Sequence, residues 1–270
     1  MTGPLAGRTA FVTGATGAIA EACALQLARD GARLALMARR PDGLAQVAAR
    51  IRGTVPGAEI HELVGDALDE EAVAGALNAA RDLTGRLDIA FATVGGGGFK
   101  PLIEHTAQDL RDAFETNVVA TFHVIRHAAP LMAPGSSIIC LSSGAARLTF
   151  RHLAAYHIAK AGLEGLVRMA ADEFGPSGIR VNAIRPGLTR SGATEDMFTS
   201  GAAEAFLPEY PLGRLGEAQD MAGVVRFLAG VESAWVTGQF IAVDGGNLLR
   251  RSPDLAPLPA ANPHHQGRTP

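Results

Sequence analysis

Short apolar runs alternate along the chain with longer stretches in which apolar residues recur every three or four positions. The short runs fall at residues 9–12, 33–38, 59–64, 89–93, 137–141, 180–184 and 240–243. Several, such as LALMA at 34–38 and SIICL at 137–141, are apolar at almost every position. That is the pattern of a strand covered on both faces, not of one half open to water. The longer stretches, 19–30, 43–52, 70–84, 110–131, 155–174 and 218–229, have the length and period of helices. Strand and helix alternating this often predict βαβ units with right-handed crossovers, and hence a parallel sheet. The first run leads into a glycine-rich turn, which favours an open, doubly wound sheet over a closed barrel.

Composition narrows the picture further. The 270 residues are 47% hydrophobic and 19% charged, enough to build a core and without a signature of disorder. No break in composition appears before residue 245; from 248 onward the chain is rich in proline and poor in large apolar residues. The expected organisation is therefore one domain over 1–247 and a surface tail over 248–270. A net charge of -3 gives no polyanion-binding surface, so no nucleic acid partner is expected. Neither a signal peptide nor a long uncharged apolar run is visible, so no membrane span is expected. Cys23 and Cys140 sit in apolar runs and read as small buried hydrophobes without a disulfide framework, consistent with a cytoplasmic setting.

Candidate chemistry starts at the first turn, TGATGAIA at 13–20. A tight turn at a helix N-terminus lets backbone N–H groups face a pyrophosphate, and glycine, here Gly14 and Gly17, avoids blocking the approach. Alone, such a turn is weak evidence. The second strand ends in Ala38, Arg39 and Arg40, where a ribose-binding acid would otherwise stand. Two guanidiniums suit a 2′-phosphate, which favours NADP(H) and leaves NAD(H) possible. The strongest feature is YHIAK, Tyr156 to Lys160, in a chain with only two tyrosines and two lysines. Residues four apart share a helix face, and an ammonium beside a phenol favours the phenolate. Moving that pKa from near 10 towards 7 takes about 4 kcal/mol, within reach of a partly desolvated charge pair. His123 and His127 have a zinc-like spacing, but no carboxylate lies between them, so no metal site is expected. Ser142 and Ser143 lack the G-x-S-x-G flanks of a serine hydrolase.

Taken in order, the 13–20 turn, Asp66 in VGDALD, Asn117 in FETNVVATF, Ser143 in IICLSSGA, YHIAK, IRVNAIRPG at 179–187 and TGQFIAVDGG at 237–246 resemble the short-chain dehydrogenase/reductase family. The resemblance runs from residue 7 to about 247, and Ser143 stands 13 residues before Tyr156, the family interval. It implies an α/β fold: a single doubly wound Rossmann-type domain with a seven-stranded, mainly parallel sheet and helices on both faces. It implies catalytic roles for Asn117, Ser143, Tyr156 and Lys160. Tyr156 is the acid/base, Lys160 holds the nicotinamide ribose and tunes Tyr156, Ser143 steadies the substrate oxygen, and Asn117 helps hold a relay water. The implied cofactor residues are Gly14, Thr16, Gly17, Ile19, Arg39, Arg40, Asp66, Ala67, Gly95, Tyr156, Lys160, Pro186, Gly187, Thr189 and Ser191, with Leu188 contributing through its backbone. Two departures stand out. Ala18 and Ala20 replace glycines of the turn, and ATVG at 92–95 replaces the family's NNAG, so two asparagine side chains are missing.

The expected activity is hydride transfer between NADP(H) and a carbonyl or secondary alcohol. The alternatives are an NAD(H)-preferring dehydrogenase of the same kind and a non-catalytic dinucleotide-binding protein. Segment 192–211 is the expected lid, with Met197, Phe198, Phe206, Leu207 and Tyr210 joining Phe150 and Leu153 around an apolar small-molecule pocket. The resemblance also implies a homotetramer or homodimer built on the helices that carry Asn117 and Tyr156.

Overall fold

The structure is a computed structural model and describes residues 3–83, 85–251 and Pro253. Seven strands form one sheet: β1 (Thr9–Val12), β2 (Arg33–Ala38), β3 (Ile60–Val64), β4 (Leu87–Ala92), β5 (Met132–Leu141), β6 (Arg180–Pro186) and β7 (Phe240–Val243). Their order is β3-β2-β1-β4-β5-β6-β7, and every neighbouring pair is parallel. All residues of the central strands β1 and β4 are buried, which is why those segments read as unbroken apolar runs. The edge strand β3 exposes His61 and Glu62 instead. Such polar positions blunt an edge against further pairing.

Among the described residues the helices are α1 (Ala18–Arg29), α2 (Pro41–Thr54), α3 (Glu70–Asp82), α4 (Ala107–Phe114), α5 (Ala120–Ala128), α6 (Ala154–Phe174), the short α7 (Glu195–Thr199) and α8 (Ala218–Ala229). On one face Cys23 and Leu27 of α1, Val47 and Ile51 of α2, and Met221 and Val225 of α8 pack onto the strands. On the other face Val73 and Leu77 of α3, Val124 of α5, and Leu163 and Val167 of α6 do the same. Cys23 and Cys140 are buried free thiols in these two layers. Helix starts follow local chemistry. Asp69 accepts the Ala72 N–H ahead of α3, and Thr106 and Asp109 form a reciprocal capping box on α4.

One predicted element is built differently. The segment 110–131, read as one helix, is α4, a π-helical turn over Glu115–Val119, α5 and a closing 3₁₀ turn over Ala129–Leu131. Apolar periodicity does not register a single inserted residue, so the wide turn is invisible in the pattern. Strand β5 starts five residues earlier than expected because Met132 pairs with Leu87 across an irregular register. Of the expected tail over 248–270, residue 252 and residues 254–270 lie outside the described residues.

The strand order reverses at β1, between β2 and β4. Crossovers depart in opposite directions there and leave a crevice at the C-terminal strand ends, where such sheets bind ligands.

Candidate active site

The cleft at those strand ends has a volume of about 1210 Å³. It is lined by the turn after β1, the ends of β2 and β4, the loop after β5, the start of α6 and the segment after β6.

The first turn is fixed by backbone geometry. Gly14 has φ +57°, and a Cβ there would lie 2.7 Å from Thr93 Oγ1. Only glycine meets both demands without strain. The Gly17 N–H donates to Gly14 O at 2.9 Å and closes the turn onto α1. The missing asparagines have a local replacement: Thr93 N–H donates to Thr13 Oγ1 at 3.1 Å, and Thr93 Oγ1 donates to Thr13 O at 2.5 Å. This pair ties the ends of β1 and β4 together. The two alanines are also accommodated. Ala20 is buried in the core, and Ala18 opens α1 in the cleft wall.

At the end of β2, Arg39 and Arg40 are exposed and line the cleft. Arg39 Nη1 is 3.9 Å from Asp66 Oδ2, a loose contact for a side chain 75% exposed. Asp66 accepts the Leu68 N–H at 3.1 Å and, with Ala67, borders the same end of the cleft.

The four expected catalytic residues meet on the far side. Ser143 follows β5 and shares a hydrogen bond with Tyr156 on α6. Lys160, one turn on, is 2% exposed and donates from Nζ to Leu141 O at 2.7 Å. Burial lowers its amine to about 8. Tyr156 departs from expectation here. Burial pushes the phenol up, with the Ser143 hydrogen bond pulling the other way. The Lys160 amine is turned to Leu141 and stands 5.7 Å from the centre of the phenol ring, so desolvation outweighs its charge. Asn117 sits in the π-helical turn, fully buried. Its amide donates to Gly96 O and Ala113 O, each at 2.8 Å, and accepts the Gly96 N–H at 3.1 Å. It clamps the Gly95–Gly98 loop and does not line the cleft.

That loop carries a signal easily missed in the sequence. A Cβ on Gly95 would lie 2.6 Å from Asn117 Oδ1 and 2.8 Å from Lys160 Nζ. One on Gly97 would lie 2.6 Å from Tyr156 Cβ. Gly95 and Gly97 let backbone press directly on Asn117, Lys160 and Tyr156.

After β6, Pro186, Gly187, Thr189 and Ser191 all line the cleft. Leu188 differs from expectation, because its N–H is donated to Tyr210 Oη at 2.5 Å and its carbonyl accepts the Gly216 N–H at 2.9 Å. Both backbone groups are used inside the protein. Thr194 Oγ1 donates to Thr189 O at 2.7 Å and receives the Ser191 N–H at 3.0 Å, which shapes the start of the expected lid.

The end of the cleft beyond Tyr156 is apolar. Phe150 and Phe206 stack with ring centres 6.1 Å apart, and Leu153, Met197 and Phe99 stand beside them. Phe198, Leu207 and Tyr210 do not line the cleft. Phe198 lies under the Arg190 guanidinium, and Tyr210 is buried behind the Pro186–Thr189 segment. His152 borders the pocket with φ +69°, a left-handed conformation uncommon outside glycine. His123 and His127 do not line the cleft; they reach Ala67 O at 3.2 Å and Glu70 Oε1 at 2.8 Å. Among the described residues no helix is long and apolar enough to cross a membrane.

Comparison with known proteins agrees with this fold. Residues 14–247 match a family model described as enoyl-(acyl carrier protein) reductase. The chain is 31% identical over 246 residues to a 7alpha-hydroxysteroid dehydrogenase of Escherichia coli, covering 90% of this chain and 95% of the relative. A short-chain type dehydrogenase/reductase from Mycobacterium ulcerans superposes with a TM-score of 0.89 at 33% identity, covering 95% of this chain and 94% of the other. Two further structures hold different cofactors. One is an NAD+-bound xylitol dehydrogenase (TM-score 0.83, 28% identity, covering 90% of this chain and 99% of the other). The other is a short-chain dehydrogenase from Burkholderia cenocepacia in complex with NADP (TM-score 0.83, 29% identity, covering 90% of this chain and 99% of the other).

Proposed function

The chain belongs to the short-chain dehydrogenase/reductase family, whose members are oxidoreductases of alcohols and carbonyls, and from that premise we propose an NADP(H)-dependent enzyme with Tyr156 as its general acid and base. The observation that carries this reading is the Ser143–Tyr156 hydrogen bond, held over buried Lys160 in the same cleft as the glycine turn.

The cleft suits a dinucleotide. The tight turn from Gly14 to Gly17 and the first residues of α1 line it, so backbone N–H groups at the helix N-terminus border the space a pyrophosphate would take. Arg39 and Arg40 would take the 2′-phosphate, Asp66 and Ala67 the adenine side, Lys160 the nicotinamide ribose, and Pro186 to Ser191 the nicotinamide end. When bound, the nicotinamide supplies or accepts the hydride. In reduction, the Tyr156 phenol gives its proton to the substrate oxygen, and Ser143 donates a hydrogen bond to that oxygen as its charge grows. In oxidation the phenol oxygen takes the proton back. A phenol raised by burial stays protonated at neutral pH, which matches the acid role in reduction. Asn117 acts behind these groups by holding the Gly96 peptide.

The preference for NADP(H) rests on two exposed arginines after Ala38, with no acid at the end of β2. Arg39→Ala should weaken NADPH binding by about tenfold or more while leaving NADH binding unchanged. An unchanged preference would remove Arg39 from the assignment. The walls formed by Phe99, Phe150, Leu153, Met197 and Phe206 fit an apolar, bulky ketone or secondary alcohol. The name of the hydroxysteroid dehydrogenase relative is in keeping with such a substrate. A panel of carbonyls and alcohols with both cofactors tests the reading. Tyr156→Phe should lower turnover of the best substrate by about 10²–10⁴-fold, and near-normal turnover would overturn the proposed role. A second copy of the chain is proposed to cover the α4–α6 face, where Phe114, Ile158 and Met169 are exposed.

A further inference from the structure

His157 follows Tyr156 in the sequence, but its side chain is not part of the cleft wall. Its backbone N–H donates to Leu153 O at 2.8 Å, as the first turn of α6 requires. The imidazole has a different partner: Nδ1 lies 2.5 Å from Ala145 O. A carbonyl oxygen only accepts, so Nδ1 carries the proton and donates. Ala145 belongs to the single 3₁₀ turn, Gly144–Ala146, that follows Ser143. Its N–H donates to Ser143 Oγ at 3.1 Å. Ser143 is in turn hydrogen-bonded to Tyr156. The contacts close a ring: Tyr156 to His157 through the peptide bond, His157 to Ala145, Ala145 to Ser143, and Ser143 to Tyr156.

We propose that His157 is a positioning residue for Ser143: its Nδ1–H pins the turn that supplies the Ala145 N–H, and so directs the Ser143 hydroxyl proton into the cleft. The reasoning is one of valence. A serine oxygen that already accepts from Ala145 keeps one proton to give, and the geometry of the turn decides where it points. The turn closes on itself through Ala146 N–H to Ser143 O and Arg147 N–H to Gly144 O, each at 3.0 Å, and these bonds do not reach α6, the long packed helix that carries Tyr156. A donor on α6 beside Tyr156 therefore ties Ser143 to the frame that carries the phenol. Because the imidazole does not reach the cleft, it acts through Ser143 and not on substrate. The proposal rests on the role given to Ser143 above.

The test compares His157→Leu, His157→Asn and His157→Gln in the full chain, each with and without Ser143→Ala. Turnover is measured on the best carbonyl of the panel, and NADPH binding and circular dichroism serve as folding controls. Asparagine places an amide N–H near the Nδ1 position, whereas glutamine places it near Nε2. His157→Leu should lower kcat by about tenfold to a hundredfold, with NADPH affinity unchanged. His157→Asn should recover most of that loss and His157→Gln little. In the Ser143→Ala background, His157→Leu should cost less than about twofold more, since coupled residues are not additive. Equal losses in both backgrounds would overturn the proposal, as would equal behaviour of the Asn and Gln variants. If Ser143→Ala alone leaves kcat unchanged, the reading of Ser143 fails first and the proposal falls with it. A damaging Ser143→Ala with additive losses sinks only the role of His157. Should the Ser143→Ala background be too slow to read, the contrast between Asn and Gln decides.

Discussion

Lys160 shows at the scale of one residue how burial trades stability for chemistry. Its amine moves from 10.5 to about 8 because the folded chain withholds water from the charge. Between those values the unfolded chain holds a proton that the folded chain has lost. Stability therefore rises with pH across this window, and below pH 8 the cost of the buried charge is complete. Without dinucleotide, the unfolding free energy of the wild type minus that of Lys160→Met should grow by about 2 kcal/mol from pH 7 to pH 10. Urea denaturation at each pH reads this difference directly, and a flat difference would mean that the amine is hydrated. Gly97 makes a second prediction at this scale. A methyl placed 2.6 Å from Tyr156 Cβ meets the root of the side chain on a packed helix, not a flexible tip. Gly97→Ala should cost about 1–3 kcal/mol of strain and reduce kcat. Gly98→Ala, where nothing lies within 4 Å, should leave kcat unchanged. That Tyr156 and Lys160 share one helix and border one cleft was legible from their spacing. The Gly97 contact was not, because a run of glycines looks like a loose loop until the partner it touches is known.

At the scale of elements, the segment after β6 is held from behind. Tyr210, at the far end of the 192–211 segment, accepts the Leu188 N–H, and its hydroxyl is pushed up to about 12 by burial. It therefore stays protonated across the working range of pH. Tyr210→Phe leaves a half-buried N–H without its acceptor, a loss of about 1 kcal/mol. The loosened segment should raise the Kd for NADPH by several-fold, and the increase should be the same at pH 6 and pH 9. Cofactor titration by fluorescence at both values checks it, and an unchanged Kd would mean that Gly216 alone secures the segment. Sequence reading placed Tyr210 in the substrate pocket because an aromatic residue in a mobile segment suits a lid. The structure turns it inward, and the signal for that was slight: a tyrosine before PLGR, with nothing to say which way it faces. The π-helical turn at Asn117 was hidden for a related reason. Periodicity reports which face is apolar, whereas the widened turn is set by the Gly96 peptide, twenty-one residues earlier in the chain.

At the scale of the molecule, the strands needed little more than their apolar runs. β1, β2 and β7 fall on the expected residues, since short apolar segments between turn residues have few other ways to bury themselves. The parallel order places the ends of β1, β4, β5 and β6 along one edge, and so gathers residues as distant as Gly14, Ser143 and Gly187. One surface remains unaccounted for by this chain alone. Phe114 on α4 packs its ring edge 3.6 Å from where a Cβ of Gly162 on α6 would stand, and both helices present apolar side chains outward beside it. Ile158 and Met169, three turns apart on α6, are 52% and 57% exposed, and Phe114 is 48% exposed. A helix pair of this kind buries its apolar stripe only against a matching surface, and a two-fold axis lets one patch serve both sides. Ile158→Asp with Met169→Asp should shift the chain to a monomer in sedimentation or light scattering. The isolated site should survive the split, since Gly14, Ser143, Tyr156, Lys160 and Gly187 are brought together within one chain. The expected signature is thus a halved or quartered mass, a lower Tm and a Kd for NADPH within about twofold of the wild type. A wild-type chain that sediments as a monomer would remove the proposed second copy and leave the α4–α6 face as bare surface.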